Sequence, residues 1–297
     1  MKRLAERSGV IGRLKETDRP VFFMSGRLDL MQKGFDVMFQ AIQGFPIGKV
    51  GLIFCPSSAE GERHSKELAF FSDIAERRSG DVVIWPFRVS TEDYMSVLLG
   101  SSYLLMPSFY EPFGAATEGF MHGTPVVARA AGGLLVQVRP VGAAGVPSGS
   151  KALLGWGGTD EEATGILYRE RGDGTDDGVW AWASGGGAGA EESISDNDDF
   201  EKYATHTMGD DSAACDGWKE ILAAPVGDRI HTPLYRSMVR EAFRALGRAA
   251  EAYADKPSYG RMVLNGMDSL RRFSWDAAVE KYRRVYDTAS MRGFFDY

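Results

Sequence analysis

Pro107-Ser108-Phe109-Tyr110-Glu111-Pro112-Phe113-Gly114-Ala115-Ala116-Thr117-Glu118-Gly119-Phe120-Met121-His122-Gly123-Thr124-Pro125-Val126-Val127-Ala128-Arg129-Ala130-Ala131-Gly132-Gly133-Leu134 decides the fold. An apolar run, Tyr103 to Met106, leads into it and reads as a buried strand. A polar turn with a glycine at 114 then opens a short helix over 115–122, and Pro125–Ala128 reads as the next strand. Strand, polar glycine turn, helix, strand is the unit from which an open α/β sheet builds a ligand crevice at the carboxyl ends of its strands. The turn also carries two carboxylates, Glu111 and Glu118, so the stretch predicts a site as well as a fold.

The same alternation extends outward. Val21–Ser25, Val50–Cys55 and Val82–Phe87 read as strands, and 33–43, 60–78 and 91–99 as helices, with Ser90 or Thr91 available to cap the last. Continuous apolar strands separated by helices predict a parallel sheet buried on both faces, with right-handed crossovers. The expected fold class is therefore α/β, a doubly wound, Rossmann-like parallel sheet followed by C-terminal helices. Thr164–Tyr168 reads as one more strand. From Thr232-Pro233 the chain reads as helical to about Tyr253, again from Pro257 to about Arg272, and again after Ser274. Trp275, Ala278, Val279, Tyr282 and Tyr286 share one face of that last helix, a stripe that reads as packing. The division expected is 1–169 for the sheet domain, 170–229 for an acidic, glycine-rich, mobile insertion, and 230–297 for helices packing on the same domain.

Composition limits the function classes. The chain has 297 residues, 44% of them hydrophobic and 25% charged, an ordinary globular balance. No apolar run approaches the length of a membrane span, and the N-terminus has no apolar leader segment. Two cysteines, Cys55 and Cys215, make a disulfide framework improbable and point to a reducing, cytoplasmic setting, Cys215 reading as part of a polar loop. No His/Cys cluster has metal spacing, so no metal or cofactor is expected. Residues 170–228 hold 15 acidic and 3 basic side chains, which leaves the remainder with a net charge of +5. A mildly basic body suits a phosphate-bearing small molecule, and the acidic segment argues against nucleic acid as the main partner. Gly172–Gly189 holds seven glycines with Trp180 and Trp182, which could dock that segment on the body or cover a sugar.

The first strand-to-helix turn reads Ser25-Gly26-Arg27-Leu28-Asp29-Leu30-Met31-Gln32-Lys33-Gly34-Phe35-Asp36. It lacks a phosphate-loop consensus. It does place a guanidinium and an ammonium beside a helix start, where a pyrophosphate would bind; equally, Arg27 and Lys33 read as solvated loop charges. In the second turn, Glu111 and Glu118 lie within two helical turns of each other. A carboxylate is an acceptor suited to holding sugar hydroxyls, though each glutamate alone is also what a helix start favours.

Taken together, Arg27 with Gln32-Lys33-Gly34-Phe35-Asp36, Pro107-Ser108 with Glu111-Pro112-Phe113-Gly114, Gly123-Thr124-Pro125, and Gly132-Gly133-Leu134 resemble the nucleotide-sugar domain of glycogen and starch synthases. Asn265-Gly266-Met267 and Phe273-Ser274-Trp275, followed by Tyr282 and Tyr286, resemble that family's closing helices. The resemblance covers roughly 18–168 and 230–288. It implies one half of a GT-B fold and a transferase that moves glucose from ADP-glucose or UDP-glucose to an α-1,4-glucan with retention. By the same resemblance Arg27, Lys33 and Glu111 are the catalytic residues: the two cations hold the diphosphate and Glu111 orients the sugar. Donor binding falls to Gly26, Phe87, Arg88, Phe113, Gly114, Thr117 and Glu118, with Glu118 on the ribose and Trp85-Pro86-Phe87-Arg88 near the base. The interval from Glu111 to Glu118 is one residue shorter than the family's common spacing. The family's N-terminal domain, which supplies acceptor contacts, is not expected within this chain, so activity is expected to need that domain or a partner chain. Other readings are a GT-B hexosyltransferase of different sugar or acceptor, and a nucleotide-sugar-binding module without turnover.

Overall fold

Phe22, Phe23 and Met24 are all fully buried, yet they face opposite ways. Phe22 and Met24 join one hydrophobic cluster and Phe23 the other, as the alternation of side chains along a strand requires. Leu52 and Phe54 against Ile53 repeat the pattern on the neighbouring strand. A strand with apolar residues on both faces is stable only between two layers, so the sheet is covered on each side. The computed structural model describes residues 9–16, 18–57, 63–142, 160–170 and 212–291.

The strands are β1 (Ile11–Gly12), β2 (Val21–Arg27), β3 (Gly51–Ser57), β4 (Val82–Ile84), β5 (Tyr103–Met106), β6 (Val126–Arg129) and β7 (Gly165–Tyr168). They form one sheet in the order β1-β4-β3-β2-β5-β6-β7. All neighbours are parallel except β1, which runs antiparallel to β4. The expected Rossmann-like, doubly wound α/β fold is thus present, with an antiparallel edge strand that sequence reading did not anticipate. The chain builds outward from β2 through β3 to β4, then returns to the other side of β2 with β5. The carboxyl ends of β2 and β5 therefore flank the point where the winding reverses.

The helices α1 (Phe35–Ile42), α2 (Arg63–Arg77), α3 (Thr91–Gly100), α4 (Ala115–Met121) and a short α5 (Leu134–Gln137) connect these strands. Ser90 caps α3: its hydroxyl accepts from the Asp93 amide at 3.1 Å. Strand β4 stops at Ile84 and not at Phe87, since Pro86 has no amide to continue the ladder. Helix α1 starts at Phe35, later than expected. Gly34 precedes it at φ +57°, a left-handed conformation that ends the loop and leaves Lys33 outside the helix.

The C-terminal part forms α6 (Ser212–Ala223), α7 (Pro233–Ala254), α8 (Lys256–Ser269) and α9 (Trp275–Met291). Cys215 therefore lies in a helix and not in the polar loop expected. Tyr103 donates its hydroxyl to the Ala249 carbonyl of α7 at 3.0 Å, and Tyr259 of α8 donates to the Ser102 carbonyl at 2.7 Å. Thr232 precedes α7 without a side-chain cap; its hydroxyl donates to the Arg229 carbonyl at 2.9 Å. Ser274 does cap α9, accepting from the Ala277 amide at 3.1 Å.

Two expectations change here. The stripe on α9 is not packing within the described chain: Trp275 is 85% exposed, and Val279, Tyr282, Val285 and Tyr286 are also open. The helical spacing was read correctly, but these side chains remain open, and Ala278, Tyr282 and Val285 line a cavity with Phe113 and Phe273. The acidic segment, expected to be a mobile insertion, has structured ends. Glu170 is fully buried. At the other end Ile221 is buried and Trp218 packs edge-on against Phe109, ring centroids 5.0 Å apart. Trp180, Trp182 and the glycine-rich run between the two ends lie outside the described residues.

Candidate functional site

The loops leaving β2 and β5 meet at the reversal point. Lys33, on the first, donates from Nζ to Glu111 Oε2, on the second, at 2.6 Å. Ser108 donates its hydroxyl to the same oxygen at 2.9 Å. Glu111 is 6% exposed, so its charge is matched by an ammonium and a hydroxyl where little water reaches it. The ammonium has three N–H groups and Glu111 engages one of them.

Close backbone contacts fix the pairing. A Cβ at Gly34 would lie 2.4 Å from the Pro107 carbonyl oxygen, so only glycine lets the two loops approach this nearly. The Phe109 amide donates to the Gln32 carbonyl at 2.7 Å and the Gln32 side chain to the Tyr110 carbonyl at 3.3 Å. Gly132-Gly133, after β6, presses on the far side of the turn. The Gly133 amide donates to the Glu111 carbonyl at 2.7 Å, and a Cβ on Gly133 would stand 2.0 Å from the Pro112 oxygen.

Arg27 reaches across the same loop, donating to Gln32 Oε1 at 2.9 Å. Its side chain is 71% exposed and lies 3.9 Å from Asp29, a weak ion pair that leaves it free to move toward an anion. Gly26 sits at φ +146°, where a Cβ would lie 3.3 Å from the Phe35 ring and 3.9 Å from the Lys33 stem. Gly114, at φ +117°, precedes α4 without a side-chain cap. Thr117 donates its hydroxyl back to the Gly114 carbonyl. Phe113 is half exposed and packs edge-on to Phe273 at 5.4 Å between centroids.

Glu118, Phe87 and Arg88 belong to a second group. Glu118 is exposed on α4 and accepts from the Tyr94 hydroxyl of α3 at 3.0 Å. Arg88, Val89, Ser90, Thr91 and Tyr94 line a cavity of about 310 Å³ beyond the end of β4. Phe87 is partly buried against the neighbouring core, next to the buried Trp85. The structure thus joins Lys33 directly to Glu111, puts Arg27 on the same loop, and gathers Glu118 and Arg88 around Tyr94.

Some supporting residues were not legible in advance. Arg129, at the end of β6, donates to the Phe109 carbonyl at 3.0 Å and forms a bidentate pair with Glu170. Both side chains are essentially inaccessible, and the Arg129 guanidinium also stacks over Trp218 at 5.0 Å. Arg229 donates to Asp36 at 3.1 Å and to the Leu30 carbonyl at 2.9 Å, and Tyr235 donates to Asp36 at 3.0 Å. Burial pushes the Asp36 carboxyl above its ordinary range, with Arg229 and Tyr235 opposing that shift. These partners lie far along the chain, and only Glu170 carried a signal, as one more acid in an acidic segment. Among the described residues no group of three His, Cys, Asp or Glu side chains is placed to hold a metal. No helix among them is long and apolar enough to cross a membrane.

Residues 12–148 match the family described as Glycosyl transferases group 1. A 54-residue stretch is 43% identical to glycogen synthase of Nitrosospira multiformis, spanning 18% of this chain and 10% of that protein. Sucrose-phosphate synthase from Thermosynechococcus elongatus shares the fold at a TM-score of 0.50 and 17% identity, over 93% of this chain and 46% of that one. The catalytic domain of starch synthase IV from Arabidopsis thaliana, bound to ADP and acarbose, is similar at 0.41 and 17%, over 88% and 41%. The chain therefore spans less than half the length of these relatives.

Proposed function

We propose that this chain, which carries a glycosyltransferase group 1 domain, is the donor-binding half of a retaining hexosyltransferase that moves glucose from ADP-glucose or UDP-glucose to an α-1,4-glucan. The observation that carries the reading is the Lys33–Glu111 contact, 2.6 Å long, at the reversal point of the sheet. A donor sugar has one end that is a doubly charged diphosphate and another that is a ring of hydroxyls. A cation and a carboxylate side by side match that polarity.

In this reading Lys33 exchanges part of its bond to Glu111 for the diphosphate, and Arg27 swings from Gln32 to join it. Both cations gain interaction energy as negative charge builds on the leaving group, so they favour the transition state over the ground state. Glu111, released from full engagement with Lys33 and still held by Ser108, accepts the hydroxyls of the sugar. The amides at Phe113 and Gly114 assist at the turn, and Glu118 accepts the ribose hydroxyls. Thr117 serves a phosphate only if its hydroxyl leaves Gly114. Phe87 and Arg88 border the base. Acceptor contacts come from a second GT-B domain or a partner chain, a reading supported by the exposed aromatic face of α9. Two cysteines, one of them the buried free thiol Cys55, favour a cytoplasmic setting.

A transfer assay with radiolabelled ADP-glucose and UDP-glucose, glycogen as acceptor, tests this. Label enters glycogen only when the chain is joined to an acceptor domain. Turnover by the isolated chain would contradict the half-enzyme reading. Transfer to a different acceptor would favour the other hexosyltransferase reading, and donor binding with no transfer under any pairing would favour a non-catalytic binding module.

A further inference from the structure

We propose that Tyr94 is a positioning residue for Glu118, holding its carboxylate ready for the vicinal hydroxyls of a nucleotide ribose. The inference rests on the donor-site reading above and goes beyond it, because nothing in that reading required a tyrosine.

Tyr94 lies on α3 and Glu118 on α4, with strand β5 between them in the chain. The tyrosine ring leans on Phe23 of β2, centroids 5.6 Å apart, so the core fixes where its hydroxyl emerges. Ser90 caps α3 one turn earlier and fixes the helix start from which Tyr94 projects. The hydroxyl meets Glu118 Oε2 at 3.0 Å. Burial, then the Glu118 carboxylate, push the phenol well above its ordinary range, so it stays protonated and remains a donor.

An exposed glutamate near a helix start otherwise samples several rotamers, and each must be given up on binding. With Oε2 anchored, Oε1 keeps both its lone pairs at one place, and Tyr94 itself lines the cavity it shares with Arg88, Ser90 and Thr91. Two acceptor sites on one oriented carboxylate suit two adjacent hydroxyls. A site built to hydrogen-bond a hydroxyl rejects an analogue lacking it, so the predicted property is discrimination for ribose.

Calorimetric titration of the full chain with ADP and with 2′,3′-dideoxy-ADP, on wild type, Tyr94→Phe and Glu118→Gln, tests the assignment. Phenylalanine keeps the ring against Phe23, so the fold should hold. Wild type should prefer ADP by about tenfold or more, the scale of one charge-assisted hydrogen bond. Glu118→Gln and Tyr94→Phe should each shrink that preference to about threefold or less, with dideoxy-ADP affinity unchanged. If Tyr94→Phe weakens both nucleotides equally, the tyrosine only braces two helices and the proposal is overturned. If Glu118→Gln removes the preference and Tyr94→Phe does not, the donor site stands and the role of Tyr94 falls. If wild type binds neither nucleotide, the donor-site reading itself fails.

Discussion

Lys33 owes its position to one glycine. Gly34, left-handed at φ +57°, ends the loop one residue after the lysine, and the ammonium then meets a glutamate 78 residues further on. The motif around Lys33 and the turn around Glu111 were both legible in sequence, because each is a local pattern. Their contact was not, and neither were Ser108 on Glu111 or Arg129 on the Phe109 carbonyl, since partners across the sheet leave no local signal. Cys55 illustrates a residue whose chemistry is set wholly by burial. Desolvation pushes its thiol from the usual value of 9.0 up to about 12. The thiol is neutral in the folded state while an unfolded thiol ionises first. Its contribution to stability is therefore intact below pH 9 and lost as pH rises toward 12. In a Cys215→Ser background at about pH 8, a thiolate-directed reagent should leave Cys55 untouched in the folded protein and modify it in urea. Rapid labelling without denaturant would contradict this.

Among the elements, the turn before α4 is shaped by what presses on it. Gly133→Ala would force a Cβ to within 2.0 Å of the Pro112 oxygen, a backbone atom with little room to give way. The expected cost is about 1–3 kcal/mol, with the Glu111 turn displaced. Gly247→Ala, inside α7 and with no atom within 4 Å of the added carbon, should instead gain about 0.5–1 kcal/mol from helix propensity. Urea midpoints of the two variants moving in opposite directions would bear this out; equal effects would not. Helix and strand periods made most elements readable, and the Gly132-Gly133 pair was visible as a turn. What periodicity cannot report is what covers a face. The stripe on α9 has the spacing of a buried helix, and its aromatic residues are exposed. The two-residue β1 is too short to carry a pattern at all, and it pairs only because β4 offers an open edge.

For the whole molecule, the sheet has one reversal point, and both βα loops that the sequence marked as chemical converge there. That convergence was foreseeable from the doubly wound order alone. The acidic segment was less readable, since its composition concealed two structured ends. Glu170 locks onto Arg129, and Arg229 onto Asp36 and the Leu30 carbonyl, so both ends tie into the loops that carry Lys33 and Glu111. In the proposed function these loops bind a nucleoside diphosphate through Lys33. Isothermal titration of ADP and UDP into wild type and Lys33→Ala measures it most directly. Wild type should bind at least one nucleotide, and Lys33→Ala should lose about tenfold or more in affinity, the scale of one charge-assisted contact to phosphate. No binding of either nucleotide to wild type, or equal binding by Lys33→Ala, would mean that Lys33 holds no nucleotide at these loops.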